Sequence, residues 1–326
     1  MTEPIILRHD DIAGLLTPAD ALEVMDGLLS LEADGRIRQP ARTNIVYPGG
    51  WFRVMPGALL GEDDTYTGLK VMNLSSEGLR YLILLFSGST GELLALLDAA
   101  LVTASRTAAM AAAAARRLLG QDRVSIGVFG SGYEAQAQLR ALAGALNADS
   151  AVVYSPNPAH RSNFSKTMSE ELSISVTPVE SAQEAAGHPL LVLATKTDKP
   201  VLQSHWVAPG TVILSIGSTR PEQREIDTAL IERATAIIAD HPAQVMTESG
   251  DFIAATADNR VSSERLIPLA QLDAHFNKTA ESLILYKSTG TSTQDLALAV
   301  FLYQKARRER VGESLAQFPW LKSKEV

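Results

Sequence analysis

The chain of 326 residues has no cysteine, which excludes disulfides, thiolate nucleophiles and thiolate metal sites. Cationic residues are in the minority, 29 Lys and Arg against 37 Asp and Glu for a net charge of -8, and no Lys/Arg cluster supplies the footprint of a nucleic-acid partner. No apolar run is long enough and bare enough of breakers to span a bilayer, so no membrane partner is expected. Nor is a secretion signal expected. Met1-Thr-Glu-Pro-Ile-Ile-Leu-Arg-His-Asp10 turns acidic too early, which points to a cytoplasmic protein. The six histidines form neither an H-E-x-x-H pair nor a tight cluster, and no metal site is expected. The length exceeds what one core usually serves, so two domains are expected.

Thr17-Pro18-Ala-Asp20 combines a capping residue, a proline at the first helical position and an acid in the first turn. Leu22, Met25, Leu28 and Leu29 then follow at helical spacing. From Arg36 to Leu97 the pattern changes to short β-type runs such as Tyr81-Leu-Ile-Leu-Leu-Phe86, divided by glycine-rich turns, as in an antiparallel sheet. Thr103 to Leu119 is Ala-rich, carries Arg116-Arg117 in its last turn and stops at Gly120, and reads as a long helix.

From Arg123 strands and helices alternate: strands at 124–129, 151–154, 174–179, 190–194, 211–216 and 235–239, helices at 133–146, 159–171, 181–186 and 226–234. Such alternation predicts a parallel sheet covered on both faces. Between His241 and Ala280 the periodicity is weak, and only a helix over Ser262–Leu272 is expected there. A strand at 282–286 and an amphipathic helix over Gln294–Arg308 close the pattern. The expected class is α/β, a Rossmann-type doubly wound sheet over 120–292 with a discontinuous α+β substrate and dimerisation domain from 1–119 and 293–326.

Within that alternation, Val124-Ser-Ile-Gly-Val-Phe-Gly130-Ser-Gly132-Tyr-Glu-Ala135 is a strand that ends at a glycine pair and hands over to a helix. Gly130 allows the tight turn, Gly132 lets backbone approach a pyrophosphate, and Ala135 lets the helix pack closely, so the helix N-terminus faces the phosphates.

Three cations stand out. Lys70 interrupts the apolar Gly68-Leu-Lys-Val-Met-Asn73. It is either a sheet-edge lysine with its amine in water, or a group facing a cleft where desolvation brings its pKa toward neutrality. Arg106, near the expected start of the Ala-rich helix, opposes the helix dipole unless an anion sits beside it. Arg42 lies at an expected strand start, and two guanidiniums can grip one carboxylate, although each taken singly also suits a solvated surface.

Gly68-Leu-Lys70-Val-Met-Asn73, Leu97 to Thr107, Gly130-Ser-Gly132-Tyr-Glu-Ala-Gln136, Gly217-Ser-Thr-Arg-Pro221-Glu-Gln-Arg-Glu225-Ile-Asp227, and Lys287-Ser-Thr-Gly290 with Gln294-Asp295 occur in order over nearly the whole chain. Together they resemble the ornithine cyclodeaminase/μ-crystallin family. The resemblance implies a homodimer in which Arg42, Lys70 and Arg106 line a site for a small imino or amino acid, the arginines on its carboxylate and Lys70 catalytic. It also implies that Thr107, Gly130, Ser131, Gly132, Tyr133, Glu134, Ala135, Gly217, Ser218, Thr219 and Ser288 hold a nicotinamide cofactor. Members include cyclodeaminases, alanine dehydrogenases and reductases of cyclic ketimines, and some serve as crystallins without turnover.

Two departures bear on the reaction. The family's cyclodeaminases carry a glutamate where this chain has Arg53, before Met55-Pro56, and an aspartate in the loop that here reads Gly217-Ser-Thr219. Deamination needs acid/base groups for a second amine and a water, whereas reduction of an existing C=N needs a hydride and one proton. The expectation is therefore an NAD(P)H-dependent reductase of a cyclic imino acid such as Δ1-pyrroline-2-carboxylate or Δ1-piperideine-2-carboxylate, with the dehydrogenase, cyclodeaminase and crystallin roles as alternatives. Asp227 is expected to cap a helix rather than replace the missing aspartate. The second nucleotide-domain strand ends Tyr154-Ser155-Pro-Asn157 with no acid for the ribose hydroxyls. Ser155 and Asn157 can donate to a 2′-phosphate, and Arg161 is near enough to pair with it or to stay solvated, so NADPH is expected ahead of NADH.

Overall fold

In the computed structural model, which describes residues 3–62, 64–120 and 123–316, β1 (Ile5–Leu7) leads into α1 (His9–Leu15) and α2 (Pro18–Ala33). The Thr17 hydroxyl accepts from the Asp20 N–H while the Asp20 carboxylate accepts from the Thr17 N–H, so both ends of this capping box are satisfied. Six strands follow: β2 (Ile37–Arg38), β3 (Thr43–Tyr47), β4 (Gly50–Leu60), β5 (Thr65–Ser75), β6 (Gly78–Ser87) and β7 (Leu93–Asp98). From β4 to β7 each strand pairs antiparallel with the next, β2 and β3 both pair with β4, and β1 lies parallel to β7. In register, Met55 opposes Lys70 and Lys70 opposes Ile83, and all three are buried.

The Ala-rich helix, α3 (Ala100–Leu119), begins earlier than its composition suggests. The Asp98 carboxylate accepts the Ala100 N–H at 3.0 Å, which starts the helix ahead of Thr103. Residue contacts divide the chain into two units, one running to Arg106 and resuming at Thr291, the other Thr107–Gly290.

The second unit alternates β8 (Arg123–Phe129), α4 (Tyr133–Ala145), β9 (Asn147–Tyr154), α5 (Pro158–Leu172), β10 (Ser175–Pro178), α6 (Ala182–Ala185), β11 (Leu190–Leu193), β12 (Val212–Ser215), α7 (Thr228–Arg233) and β13 (Ala236–Ala239). Then come α8 (Pro242–Glu248), α9 (Gly250–Ala257), β14 (Leu266–Pro268), α10 (Leu272–His275) and β15 (Ile284–Lys287). All eight strands are parallel, in the order β10-β9-β8-β11-β12-β15-β13-β14. The unbroken apolar runs of β11, β12 and β13 are what strands covered on both faces require, and Leu191, Leu193, Ile213 and Ile237 join one core with Leu230 and Phe252. This is the expected α/β class.

One expectation fails here. Ser262–Leu272 is not a helix but a 3-10 turn at Ser263–Arg265, β14, and a second 3-10 turn at Leu269–Gln271. Pro268 removes a helical donor, and the backbone of Ile267 is better satisfied beside β13. The two helices before it escaped the periodicity because Pro242 follows an unusual cap, His241, whose Nδ1 accepts the Gln244 N–H.

From Thr291 the chain is again part of the first unit. The helix α11 (Ser292–Glu309) buries Leu296, Ala299, Leu302 and Ala306, and β16 (Glu313–Ser314) pairs antiparallel with β1. Gly57 and Gly68, opposite each other in register, let this helix lie on the sheet: a Cβ at Gly57 would stand 2.8 Å from Ser292 Oγ, and one at Gly68 2.7 Å from Leu296 Cδ2. Among the described residues no helix is long and apolar enough to cross a membrane.

Candidate functional site

Lys70 sits on β5 between β4 and β6 and is 1% exposed, which rules out the sheet-edge reading. Its Nζ lies 2.6 Å from Asp295 Oδ2 and donates to Thr103 Oγ1 at 3.5 Å. Thr103 gives its own hydroxyl proton to the Ala99 carbonyl at 2.7 Å, so its oxygen is left to accept from the lysine. Asp295 is fully buried in the first turn of α11, where the helix dipole favours an anion. Arg106 donates from Nε to Asp295 Oδ1 and from Nη1 to Gln294 Oε1, both at 2.9 Å. Burial pushes the Lys70 amine down from its ordinary 10.5 to about 7, with Asp295 pulling it up and Arg106 and Arg42 pushing it further down.

Lys70 and Arg106 thus share one carboxylate within the first unit, and Arg42 is close enough for its charge to act on the Lys70 amine. Arg106 does not stand at the start of its helix, as its expected place required. Because α3 starts at Ala100, Arg106 lies beyond the first turn, and the anion beside it is the chain's own Asp295. Asp295 is the residue that sequence reasoning left without a role. Its signal was an acid beside Gln294 at the start of an otherwise apolar helix face.

Arg53 opposes Met72, next to the Met55–Lys70 pair, so its side chain leaves the sheet on the Lys70 face. Its Nε donates to Asn44 Oδ1 at 2.6 Å, and its guanidinium carbon lies 5.2 Å from the Trp51 ring centroid.

In the second unit Gly130 has φ +103°, and a Cβ there would stand 2.6 Å from the Ala194 carbonyl oxygen, so only glycine fits this turn. Gly132 caps α4 with φ -86°, and a Cβ there would meet no protein atom within 4 Å. Nothing in the protein demands glycine at that position. The space in front of the α4 N–H groups is therefore open at this position. Ala135 is fully buried, Tyr133 is exposed, and Glu134 stands in the first turn of α4. Ser131 donates its hydroxyl to Ser155 Oγ at 3.0 Å, joining the glycine turn to the end of β9. Asn157 Oδ1 caps α5 by accepting from Ala159 and His160, which leaves its amide nitrogen as the donor, and Arg161 Nη1 donates to the Ser155 carbonyl at 3.0 Å. Thr107 is buried on α3.

The Gly217–Thr219 loop turns its amides inward. Gly217 and Ser218 N–H groups donate to Glu225 Oε2 at 2.8 and 3.3 Å, and Thr219 N–H donates to Gln223 Oε1 at 3.2 Å. These amides, and the Gly217 carbonyl that accepts the Thr219 N–H at 3.0 Å, are engaged within the protein. Ser288 donates its hydroxyl to Asp240, which also accepts the Thr289 and Gly290 N–H groups. Beneath the loop, Glu225 further accepts from Thr195 N–H, Thr195 Oγ1 and Ser215 Oγ, while Lys287 Nζ donates to Ser215 Oγ at 3.0 Å and stands 4.0 Å from Asp251 Oδ2. Burial raises the pKa of Glu225 and Asp251 and lowers that of Lys287; the lysine charge opposes the rise of both carboxyls, the Asp251 charge adds to that of Glu225, and both carboxylates oppose the fall of Lys287. Asp227 caps α7 through the Leu230 N–H, the role expected of it.

The family described as "Ornithine cyclodeaminase/mu-crystallin family" matches residues 2–310. The ketimine reductase mu-crystallin of Mus musculus is 28% identical over 303 residues, covering 90% of this chain and 93% of that protein. The structure of Thermococcus litoralis Δ1-pyrroline-2-carboxylate reductase, in complex with NADH and L-proline, is 28% identical with a TM-score of 0.89, covering 95% of this chain and all of that one. An archaeal alanine dehydrogenase, a dimer with bound NAD, is 27% identical with a TM-score of 0.90 over 97% of this chain and all of that one.

Proposed function

The chain belongs to the ornithine cyclodeaminase/mu-crystallin family, and from that premise we propose that it reduces the C=N bond of a 2-imino carboxylate to the L-amino acid with NAD(P)H. The observation that carries the reading is Lys70, a buried amine whose pKa of about 7 suits it to give up and regain a proton near neutrality. Arg42 and Arg106 would hold the substrate carboxylate, which fixes the imine carbon and nitrogen relative to the lysine. Lys70 then hands its proton to the imine nitrogen, and Asp295 and Thr103 keep its Nζ in place. The nicotinamide, when bound, supplies the hydride.

The glycine turn and α4 N-terminus would take the pyrophosphate, and Ser155, Asn157 and Arg161 a 2′-phosphate, favouring NADPH over NADH. The first unit is read as the substrate and dimerisation domain, with two copies forming a homodimer. A cyclic ketimine is the substrate form read here, since its C=N exists before binding. Water activation for ornithine deamination lacks a base: Arg53 stays protonated, a threonine hydroxyl needs a base of its own, and Asp295 is held by Lys70 and Arg106.

Cofactor oxidation with Δ1-pyrroline-2-carboxylate, Δ1-piperideine-2-carboxylate, and pyruvate plus ammonium tests the reading, alongside ammonia release from ornithine. Reduction of an imine with little ammonia from ornithine is expected. Ammonia from ornithine with no imine reduction would reverse the assignment, and equal or better kcat/KM with NADH would remove the NADPH preference.

A further inference from the structure

The strands β8, β11, β12 and β15 stand side by side and parallel, and their register puts Phe129, Leu193, Ser215 and Lys287 in one row at the carboxyl ends. The loops that leave this row start at Gly130, Ala194, Ile216 and Ser288. In a doubly wound sheet a dinucleotide lies across this edge where the strand order reverses, here between β8 and β11, and each half of the sheet serves one mononucleotide. The adenosine half belongs to β8 and β9. What remains of the ligand beyond the pyrophosphate must then cross the ends of β11 and β12.

One side chain joins the two loops there. Glu225 is fully buried and cannot touch a ligand, yet its carboxylate accepts from both: Oε1 takes the N–H and hydroxyl of Thr195 at 2.7 and 2.8 Å, and Oε2 takes the Gly217 and Ser218 N–H groups and the Ser215 hydroxyl. All of these groups donate, so the carboxylate is ionised. Lys287 Nζ donates to Ser215 Oγ, which turns the Ser215 proton toward Glu225. Asp251 Oδ1 accepts the N–H groups of Glu225 and Ile226 at 2.8 and 3.1 Å and so fixes the backbone that carries the carboxylate. Gly217 completes the fit, because a Cβ there would overlap the Thr195 carbonyl oxygen and Glu225 Oε1. The Thr195 loop in turn backs the glycine turn: a Cβ at Gly130 would stand 3.5 Å from Thr195 Cγ2.

Burying an anion costs stability unless it is fully paired, whereas a fully paired network holds its members in one geometry. Groups that receive a ligand need that precision, to within about 0.5 Å. We propose that Glu225 is a positioning residue for the second mononucleotide of the cofactor: through Thr195 and Gly217–Ser218 it sets the two loops that receive the nicotinamide riboside, without touching the ligand itself. The proposal rests on the dinucleotide reading above and on no particular substrate.

Binding isotherms test it without turnover, with NADPH and NADH set against 2′-phospho-ADP and ADP, fragments that end at the pyrophosphate. Glu225→Gln keeps the shape and replaces one acceptor oxygen by an NH2 group that faces donors. It should raise Kd for the dinucleotides about 10–100-fold, the scale on which loss of an orienting partner acts, and leave Kd for the fragments within about twofold of wild type. Ser215→Ala removes one donor to Glu225 at a fully buried position and should act in the same direction by less. It decides the matter by the same split if Glu225→Gln does not fold. Equal losses for dinucleotides and fragments would make Glu225 a stabiliser of the whole unit and overturn the proposal, as would no loss at all, with the dinucleotide reading left standing in both cases. A wild type that binds neither dinucleotide brings down the reading and the proposal together.

Discussion

Lys70 and Lys287 stand in apolar strands of different units, both are buried, and burial pushes both amines down. Their company differs. Lys287 has Asp251, Glu225 and Asp240 to draw its pKa up, and those carboxylates are occupied by backbone N–H groups: Glu225 and Ile226 on Asp251, Gly217 and Thr195 on Glu225, Thr289 and Gly290 on Asp240. Lys70 has one carboxylate, Asp295, and two arginines that push its amine further down. Lys287, among carboxylates that hold backbone N–H groups, ties loops together, whereas Lys70, among cations, is held nearer to losing its proton. Burial alone does not mark a catalytic lysine; the sign of its neighbours does.

The sharpest way to break this comparison is to remove each amine. Lys70→Met should lower turnover by about 10²–10⁴-fold, the range for a lost acid/base group, while thermal unfolding and cofactor affinity stay close to wild type. Near wild-type kcat would take Lys70 out of the mechanism. Lys287→Met should act on stability instead, costing about 3–5 kcal/mol because it removes the cation that three buried carboxylates share. Chemical denaturation measures this, and an unchanged midpoint would make the two lysines alike.

Arg106→Leu should raise KM for the substrate by the worth of a charged hydrogen bond, about 1.5–3 kcal/mol, with a smaller fall in kcat from misplacing the imine. Loss of cofactor affinity with substrate kinetics intact would assign Arg106 to a phosphate. The finest distinction is in pH. Imine reduction needs Lys70 protonated, so kcat/KM should fall as pH rises through about 7, and amine oxidation should rise across the same window. Asp295 raises the lysine pKa, so Asp295→Asn should move that limb to lower pH. A limb that stays in place would mean that another group titrates.

Lys70 was legible in the sequence because its strand neighbours are apolar and a cation among them has no local partner. Its partner was not, since Asp295 lies far along the chain and reaches β5 only when α11 packs over Gly57 and Gly68. The parallel sheet could be read from strand-helix alternation, and the glycine turn from its spacing. What failed was Ser262–Leu272, where a weak pattern was read as helix although Pro268 and the open edge of β13 favour a strand. Lys287 carried the same signal as Lys70, an amine ending the apolar run Ile284-Leu-Tyr, and went unread because the adjoining Lys-Ser-Thr-Gly suggested only a turn. Arg53 could be seen in the sequence as a departure, but its direction depends on register, where a shift of one residue sends a side chain to the opposite face.

Because Thr107–Gly290 intervene between Lys70 and Asp295, the order of synthesis bears on how this protein assembles. A nascent chain that has exposed only the first hundred residues holds the sheet strands and the Lys70 amine, but not the helix that covers that face or the carboxylate that neutralises it. The inserted unit is contiguous and can complete its own parallel sheet during elongation, as domains generally do. The first unit has to wait. Its consolidation depends on contacts of very large sequence separation, a topology that closes slowly. The cluster of Lys70, Arg106 and Asp295 is therefore the last part of the molecule to be put together, and a ribosome stalled before α11 emerges should release a chain whose parallel-sheet unit is folded and whose Lys70 lacks its carboxylate.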